Sequence, residues 1–273
     1  MKVLALLLAL SAPAFATPAF AGEITSEALD DPATFAGADV VALGEVHDNP
    51  AHHAHQARAV AALHPKALVF EMLTAEQAAR MPQTLPDAAA LAATLQWDAK
   101  GWPDFALYFP IFAAAPKARF YGAEIPRDLA GKAFDTGIAA AFGPDAATYG
   151  LTTPLAAADQ SAREAEQLEA HCNALPPEFL PGMVAVQRLR DAGLARAVVQ
   201  AMAETGGPVA VITGNGHARR DQGLAVPLAL AAPDVTLLTL AQFEENAPEN
   251  PPYDLWLVTP AAPREDPCLA FKG

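Results

Sequence analysis

Glu45 and His47 stand two residues apart where an apolar run ends, in "VVALGEVHDNP". In extended backbone that spacing turns both side chains to one side, so a carboxylate and an imidazole can act on one ligand. Glu71 closes the run "KALVFEM", Glu124 follows "ARFYG", and His217 follows "VAVITGNG". Three carboxylates and two imidazoles are compatible with several chemistries. Glu45, His47, Glu71, Glu124 and His217 are the ligand set for a divalent ion, since carboxylate and imidazole suit zinc, iron or manganese. Glu45, His47, Glu71 and His217 are equally the set for hydrolysis, with the glutamates as bases or ligands and the histidines activating water or stabilising charge. Imidazoles with a phenol can instead ligate haem iron. No HExxH or CxxC pattern selects among these, and the plain alternative is a set of capping and loop carboxylates that happen to follow strands.

Five of the seven histidines lie between residues 47 and 64. "AHHAHQARAVAALH" (51–64) reads as a helix led by Asp48, Asn49 and Pro50 as cap and first-turn residues. His52 and His55 share a face of it and His53 is turned away. His52, at the N-terminal end, is the one placed to lean over the Glu45–His47 site as a ligand. His53, His55 and His64 are expected on the surface. In "GNGHARRDQG", Gly214 and Gly216 allow close backbone approach, and Arg219 and Arg220 follow His217, a combination suited to an anionic group.

The elements that must position these residues alternate along the chain. Apolar runs at 39–45, 66–72, 118–128, 207–217, 235–240 and 253–259 read as strands. Residues 51–64, 74–81 and 87–95 read as helices, 101–115 as a proline-punctuated mixed segment, and 154–203 as a helical insert broken at "ALPPEFLPG". The fold expected is α/β: a parallel-rich central sheet with helices on both faces and a helical insertion before the fourth strand. In such folds ligands bind beyond the carboxyl ends of the strands, which is where Glu45, Glu71, Glu124 and His217 fall.

The first 21 residues order a lysine, an apolar run and a small-residue "AFA" before Gly22, the pattern of a cleaved export signal. The run is too short to span a bilayer. Residues 22–273 are then expected to be one mature domain, periplasmic or secreted, with no transmembrane segment. The 273-residue chain is large enough for a real core, and 52% hydrophobic with 18% charged residues is a globular composition. A net charge of -14 argues against nucleic acid as a partner. Cys172 and Cys268 are far apart in sequence; an oxidising compartment allows a disulfide between them, and two unrelated thiols are the alternative.

"VVALGEVHDNPAHHAHQ", "ALVFEML", "GWPDFALYFPIFAAA", "MVAVQRLRDAGLARAV" and "VITGNGHARRDQGLAVPL" together resemble the ChaN-like haem-binding uptake family, related in fold to the Tiki/TraB proteases and the erythromycin esterase-like proteins. The likeness runs in order from about residue 35 to about 240. It implies an exported α/β protein tied to haem or iron acquisition, with haem as ligand and a possible homodimer around it. For haem, the ligand candidates among the residues are His47, His52, Tyr108 and His217, of which Tyr108 stands in a matched motif, and Arg127, Arg219 and Arg220 can meet the propionates. By position it also carries Glu45, His47, Glu71 and His217 as the superfamily's hydrolytic residues. Glu124 stands where many members have an asparagine. Members named for haem uptake are often lipoproteins; no lipid-bearing cysteine follows the signal here, so a free periplasmic protein is expected.

Overall fold

The structure, a computed structural model, describes residues 22–266 and 268–269. The expected export signal, residues 1–21, lies outside them. Seven strands form one sheet: β1 (Gly22–Glu23), β2 (Val40–Glu45), β3 (Ala67–Phe70), β4 (Arg119–Gly122), β5 (Val209–Gly214), β6 (Leu237–Glu244) and β7 (Leu255–Thr259). Their order across the sheet is β1-β7-β6-β2-β5-β3-β4, and every pairing is parallel. Six of the seven are the strands expected from the sequence; two-residue β1 is an addition at the edge.

Ten α-helices join them: α1 (Pro50–Leu63), α2 (Ala75–Ala79), α3 (Ala88–Leu95), α4 (Phe105–Ala114), α5 (Arg127–Thr136), α6 (Ile138–Phe142), α7 (Ala157–Ala170), α8 (Leu180–Thr205), α9 (Asn215–Ala218) and α10 (Ala225–Ala231). The strand pleat divides the core in two. Val40 and Ala42 of β2, with Val209 and Val211 of β5, pack under α5, α6, α8 and α10. Val41 and Leu43, with Ala210 and Ile212, pack under α1, α3 and α4. Both faces are covered, which is why the central strands read as continuous apolar runs. The expected insertion, 154–203, is α7 and α8; it precedes β5, and prolines at 176 and 177 separate the two helices. Helices α5 and α6 were not anticipated.

Two of the boundaries that depart from expectation bear on the site. The third expected strand, 118–128, stops at Gly122 as β4. There the turn after β3 crosses the strand end: a Cβ on Gly122 would lie 2.2 Å from the carbonyl oxygen of Thr74 and 2.4 Å from that of Leu73. Glu124 N–H then bonds the Leu73 carbonyl (2.8 Å) rather than a strand neighbour, so Glu124 sits two residues beyond the strand. The fourth, 207–217, ends at Gly214, and His217 lies on the one-turn helix α9 instead of a loop. Helix α1 starts as expected: Asn49 caps it by accepting from Ala51 N–H (2.9 Å), with Pro50 in its first turn.

Cys172, just after α7, is bonded to Cys268, 96 residues on, with Cα atoms 5.5 Å apart, a separation usual for a disulfide. Among the described residues no helix is long and apolar enough to cross a membrane.

Gly122→Ala forces a methyl group into immobile backbone, so it should lower the unfolding free energy by about 1–3 kcal/mol, read as a reduced urea midpoint. An unchanged midpoint would contradict this account of the β3–β4 crossing.

Candidate functional site

Three parallel strands end side by side at β2, β5 and β3, and each delivers part of a polar cluster into an otherwise apolar protein. At the end of β2, Glu45 is fully buried. Its Oε1 accepts from the Tyr108 hydroxyl on α4 (2.8 Å) and from Nδ1 of His47 (2.7 Å). Its Oε2 faces Nδ1 of His53 on α1 at 3.3 Å, without hydrogen-bond alignment. Burial pushes the Glu45 carboxyl up, but the two histidines outweigh it and hold the group below its ordinary range. His47 answers in kind: burial lowers its pKa, and Glu45 with Glu71 more than restores it.

His47 is the member of this cluster that reaches solvent. Its side chain is 35% exposed, and its ring lies 5.1 Å from that of Trp102. With Nδ1 committed to Glu45, Nε2 is left with no hydrogen-bond partner among the described residues. It lies over Gly214, where a Cβ would come within 2.9 Å of it. The sequence motif "GNGH" thus needs its first glycine for the approach of the imidazole to β5.

The second half of the cluster is a buried carboxylate–imidazole–carboxylate chain. Nδ1 of His217 donates to Asp191 on α8 (2.7 Å), and Nε2 faces Oε1 of Glu71 at 3.4 Å. The other Glu71 oxygen accepts from the Thr213 hydroxyl (2.7 Å) and Gly214 N–H (2.8 Å). Burial alone would favour neutral His217, yet the two carboxylates raise its pKa to about 10. Burial raises Glu71, but the His217 charge and hydrogen bond bring it well below the carboxylate range. Burial dominates for Asp191, whose pKa is raised despite His217. At neutral pH, His217 is an imidazolium locked between neighbours.

Several residues expected at the site have other roles. His52 is buried and does not lean over it: Nδ1 accepts Val46 N–H (2.8 Å) and Nε2 donates to Thr259 Oγ1 (2.8 Å). An imidazole that must accept stays neutral, and burial lowers its pKa to about 4. With both nitrogens engaged, His52 has none to offer a ligand. His53, expected on the surface, is buried against Tyr108 and donates through Nε2 to the His47 carbonyl (2.8 Å). His55 is half-buried on Gln242 (2.9 Å), and only His64 of the three is exposed. Tyr108 is completely buried; burial beside Glu45 drives its pKa up, so it stands as a neutral donor rather than an open phenolate. Arg219 is held by Asp221 and Glu166 beside a different hollow, and Arg220 is tied to Asp254. Glu45 bonds His47 and Glu71 faces His217, while Glu124 pairs with Lys100 (3.0 Å). The five therefore do not converge, and among the described residues no group of three or more such side chains is disposed to hold a metal ion.

A cleft of about 200 Å³ opens beside this cluster, lined by Glu71, Trp102, Lys100, Glu124, Arg127 and Arg190 among others. Two of its walls, Trp102 and Glu71, are neighbours of His47. Arg127 and Arg190 make no ion pair among the described residues. In a chain of net charge -14, two arginines without ion-pair partners at one cleft, beside Lys100 paired to Glu124, favour an anionic ligand. Sequence reading missed Lys100, Arg190 and Asp191. A signal existed for Asp191: it interrupts the apolar face of α8 between Leu189 and Ala192, where an unpaired charge is costly.

Asp191→Asn should cost about 3–5 kcal/mol of stability, since it leaves His217 without its hydrogen-bonded counter-charge. The sign of the pH dependence follows from the raised His217 pKa. The stability it confers is complete below about 6.5, the ordinary histidine value, and is lost as pH rises toward about 10. Urea unfolding between pH 6 and 10 should show this decline in the wild type and a flattened one in His217→Gln; equal slopes would contradict the assignment.

Residues 32–228 match the family model described as haem-binding uptake, Tiki superfamily, ChaN. Among solved structures, the chain is similar to ChaN of Campylobacter jejuni, described as showing cofacial haem binding. The two are 18% identical over 81% of this chain and 85% of that one, with a TM-score of 0.58. A Bacillus cereus protein matches at 13% identity over 75% of this chain and 65% of its own, with a TM-score of 0.34, too low to bear on the fold. The search of curated proteins returned no match. With the family model spanning most of its length, the chain belongs to the ChaN-like haem-binding uptake family of the Tiki superfamily.

Proposed function

We propose that the protein binds haem in the cleft beside Trp102, with Nε2 of His47 contacting the iron and Lys100, Arg127 and Arg190 meeting the propionates. One observation carries this reading: His47 is the partly exposed imidazole whose Nδ1 is fixed by a buried carboxylate while Nε2 is left free. That is the arrangement in which a histidine is oriented and made basic enough to ligate metal. The indole of Trp102 supplies an apolar surface next to it, and the basic side chains suit carboxylate groups. Haem is the cargo here, and the protein's contribution is to orient the imidazole and offset the charge.

The cleft is smaller than the roughly 300–1,000 Å³ of most enclosing ligand sites. A flat haem seated there would leave much of one face uncovered, which supports a homodimer in which a second copy covers it. The ordering of residues 1–21 and the Cys172–Cys268 disulfide support export to an oxidising compartment, so the role we infer is periplasmic or secreted haem handling in iron uptake. Hydrolysis is the less favoured use of the same residues. His217 is held as a cation and Glu71 as a strongly stabilised carboxylate, and neither is poised to take a proton from water near neutral pH.

Hemin titrated into the purified protein should give a saturable Soret shift. His47→Ala should weaken binding at least about tenfold, whereas Tyr108→Phe and His52→Gln should retain the wild-type ligation spectrum. Because ligation requires an unprotonated Nε2 and the carboxylates raise the His47 pKa, affinity should fall as the solution is acidified. No saturable shift, or a shift indifferent to His47→Ala, would overturn the proposal.

A further inference from the structure

The residues on either side of His47 are tied to the C-terminal end of the chain. Val46 N–H reaches Thr259 through the buried ring of His52. Asp48 receives a two-pronged bond from Arg264, Nε to Oδ2 and Nη2 to Oδ1, each 2.7 Å. Asn49 donates through Nδ2 to Glu244 Oε1 (2.7 Å) and to the Pro260 carbonyl (3.1 Å). Glu244 in turn accepts from Arg264 Nη1 and Nη2 (2.5 and 2.6 Å) and from Ala262 N–H (3.0 Å). One guanidinium thus bridges the strand end of β6 and the loop carrying His47. Beyond Arg264 the chain reaches Cys268, bonded to Cys172 after α7.

Within residues 46–49, His47 is the position whose ring lies beside Trp102, a wall of the cleft, and its three neighbours are all anchored toward residues 244–264. These anchors lie outside the part of the chain matched by the family model, residues 32–228. The disulfide ties Cys268, four residues past Arg264, to the end of α7. Such tethering cuts the conformational freedom the loop would otherwise lose on binding.

We propose that residues 259–266 are a positioning strap for His47, with Arg264 as its positioning residue and the Cys172–Cys268 bond as its anchor. The strap acts through Asp48 and Asn49 and does not itself touch the ligand. The inference rests on the reading of His47 as the haem-contacting side chain.

Hydrogen–deuterium exchange on the ligand-free full-length protein tests the strap without haem. Arg264→Gln should speed exchange at the amides of Asn49, Ala51 and His52 while the amides of β5 keep their protection, and Arg264→Lys should restore part of the difference. A Cys172→Ala/Cys268→Ala double variant should shift the same amides in the same direction. Hemin affinity of Arg264→Gln should be roughly threefold to tenfold weaker with the spectrum of the bound form unchanged. Exchange at the loop unaffected by Arg264→Gln would overturn the strap, as would equal loosening of β5, which marks a general stabiliser. If the wild type binds no hemin, the haem reading fails by itself, and the exchange pattern still decides whether the strap exists.

Discussion

A carboxylate removed from water at the end of a strand must be met by donors or it costs several kcal/mol. Glu45 is that carboxylate. Tyr108 comes to it from α4, His47 from the loop that follows β2, and His53 from α1. Meeting Glu45 fixes where two helices sit on one face of the sheet and which nitrogen of His47 is left unbonded. A neutral isostere at position 45 would keep the packing but lose the charge that makes His47 basic.

The His217 chain applies the same physics on the opposite face. Asp191 and Glu71 flank a buried imidazolium, and Gly214 N–H with Thr213 completes the coordination of Glu71. Its result differs from that of Glu45. Glu45 leaves one nitrogen of the partly exposed His47 without a hydrogen bond, whereas the His217 chain closes on itself and joins α8 to the ends of β3 and β5. Gly214 lies between the two groups, and its missing side chain lets them stand close. One half of the cluster is therefore read as presenting a ligand-binding atom and the other as a rigid floor.

Much of this was legible in the sequence because parallel strands buried on both faces have continuous apolar runs, so the polar residues that end them stand out. Glu45, His47, Glu71 and His217 were found that way. Glu124 was misplaced because "ARFYGAEI" continues the apolar run past Gly122, and nothing local reveals that the Leu73–Thr74 turn crosses there. The α1 histidines were misjudged for a different reason. The helix is built of alanine and histidine, and alternation between those types does not show which face is buried; the face carrying His52, His53 and Gln56 turned inward because buried acceptors await it. The sheet order, with β5 between β2 and β3, is a non-local pairing that local pattern does not encode. Lys100 and Arg190 were invisible because only the fold brings their separate elements to one cleft.

The central claim is that the free nitrogen of His47, set by Glu45, is what the protein offers its ligand. The most direct test is pulsed electron–nuclear resonance on the ferric haem complex of histidine-15N-labelled protein. The account predicts a strongly coupled histidine nitrogen that disappears in His47→Gln and persists in His217→Gln. A complex with no coupled histidine nitrogen, or one whose signal survives His47→Gln, would contradict it.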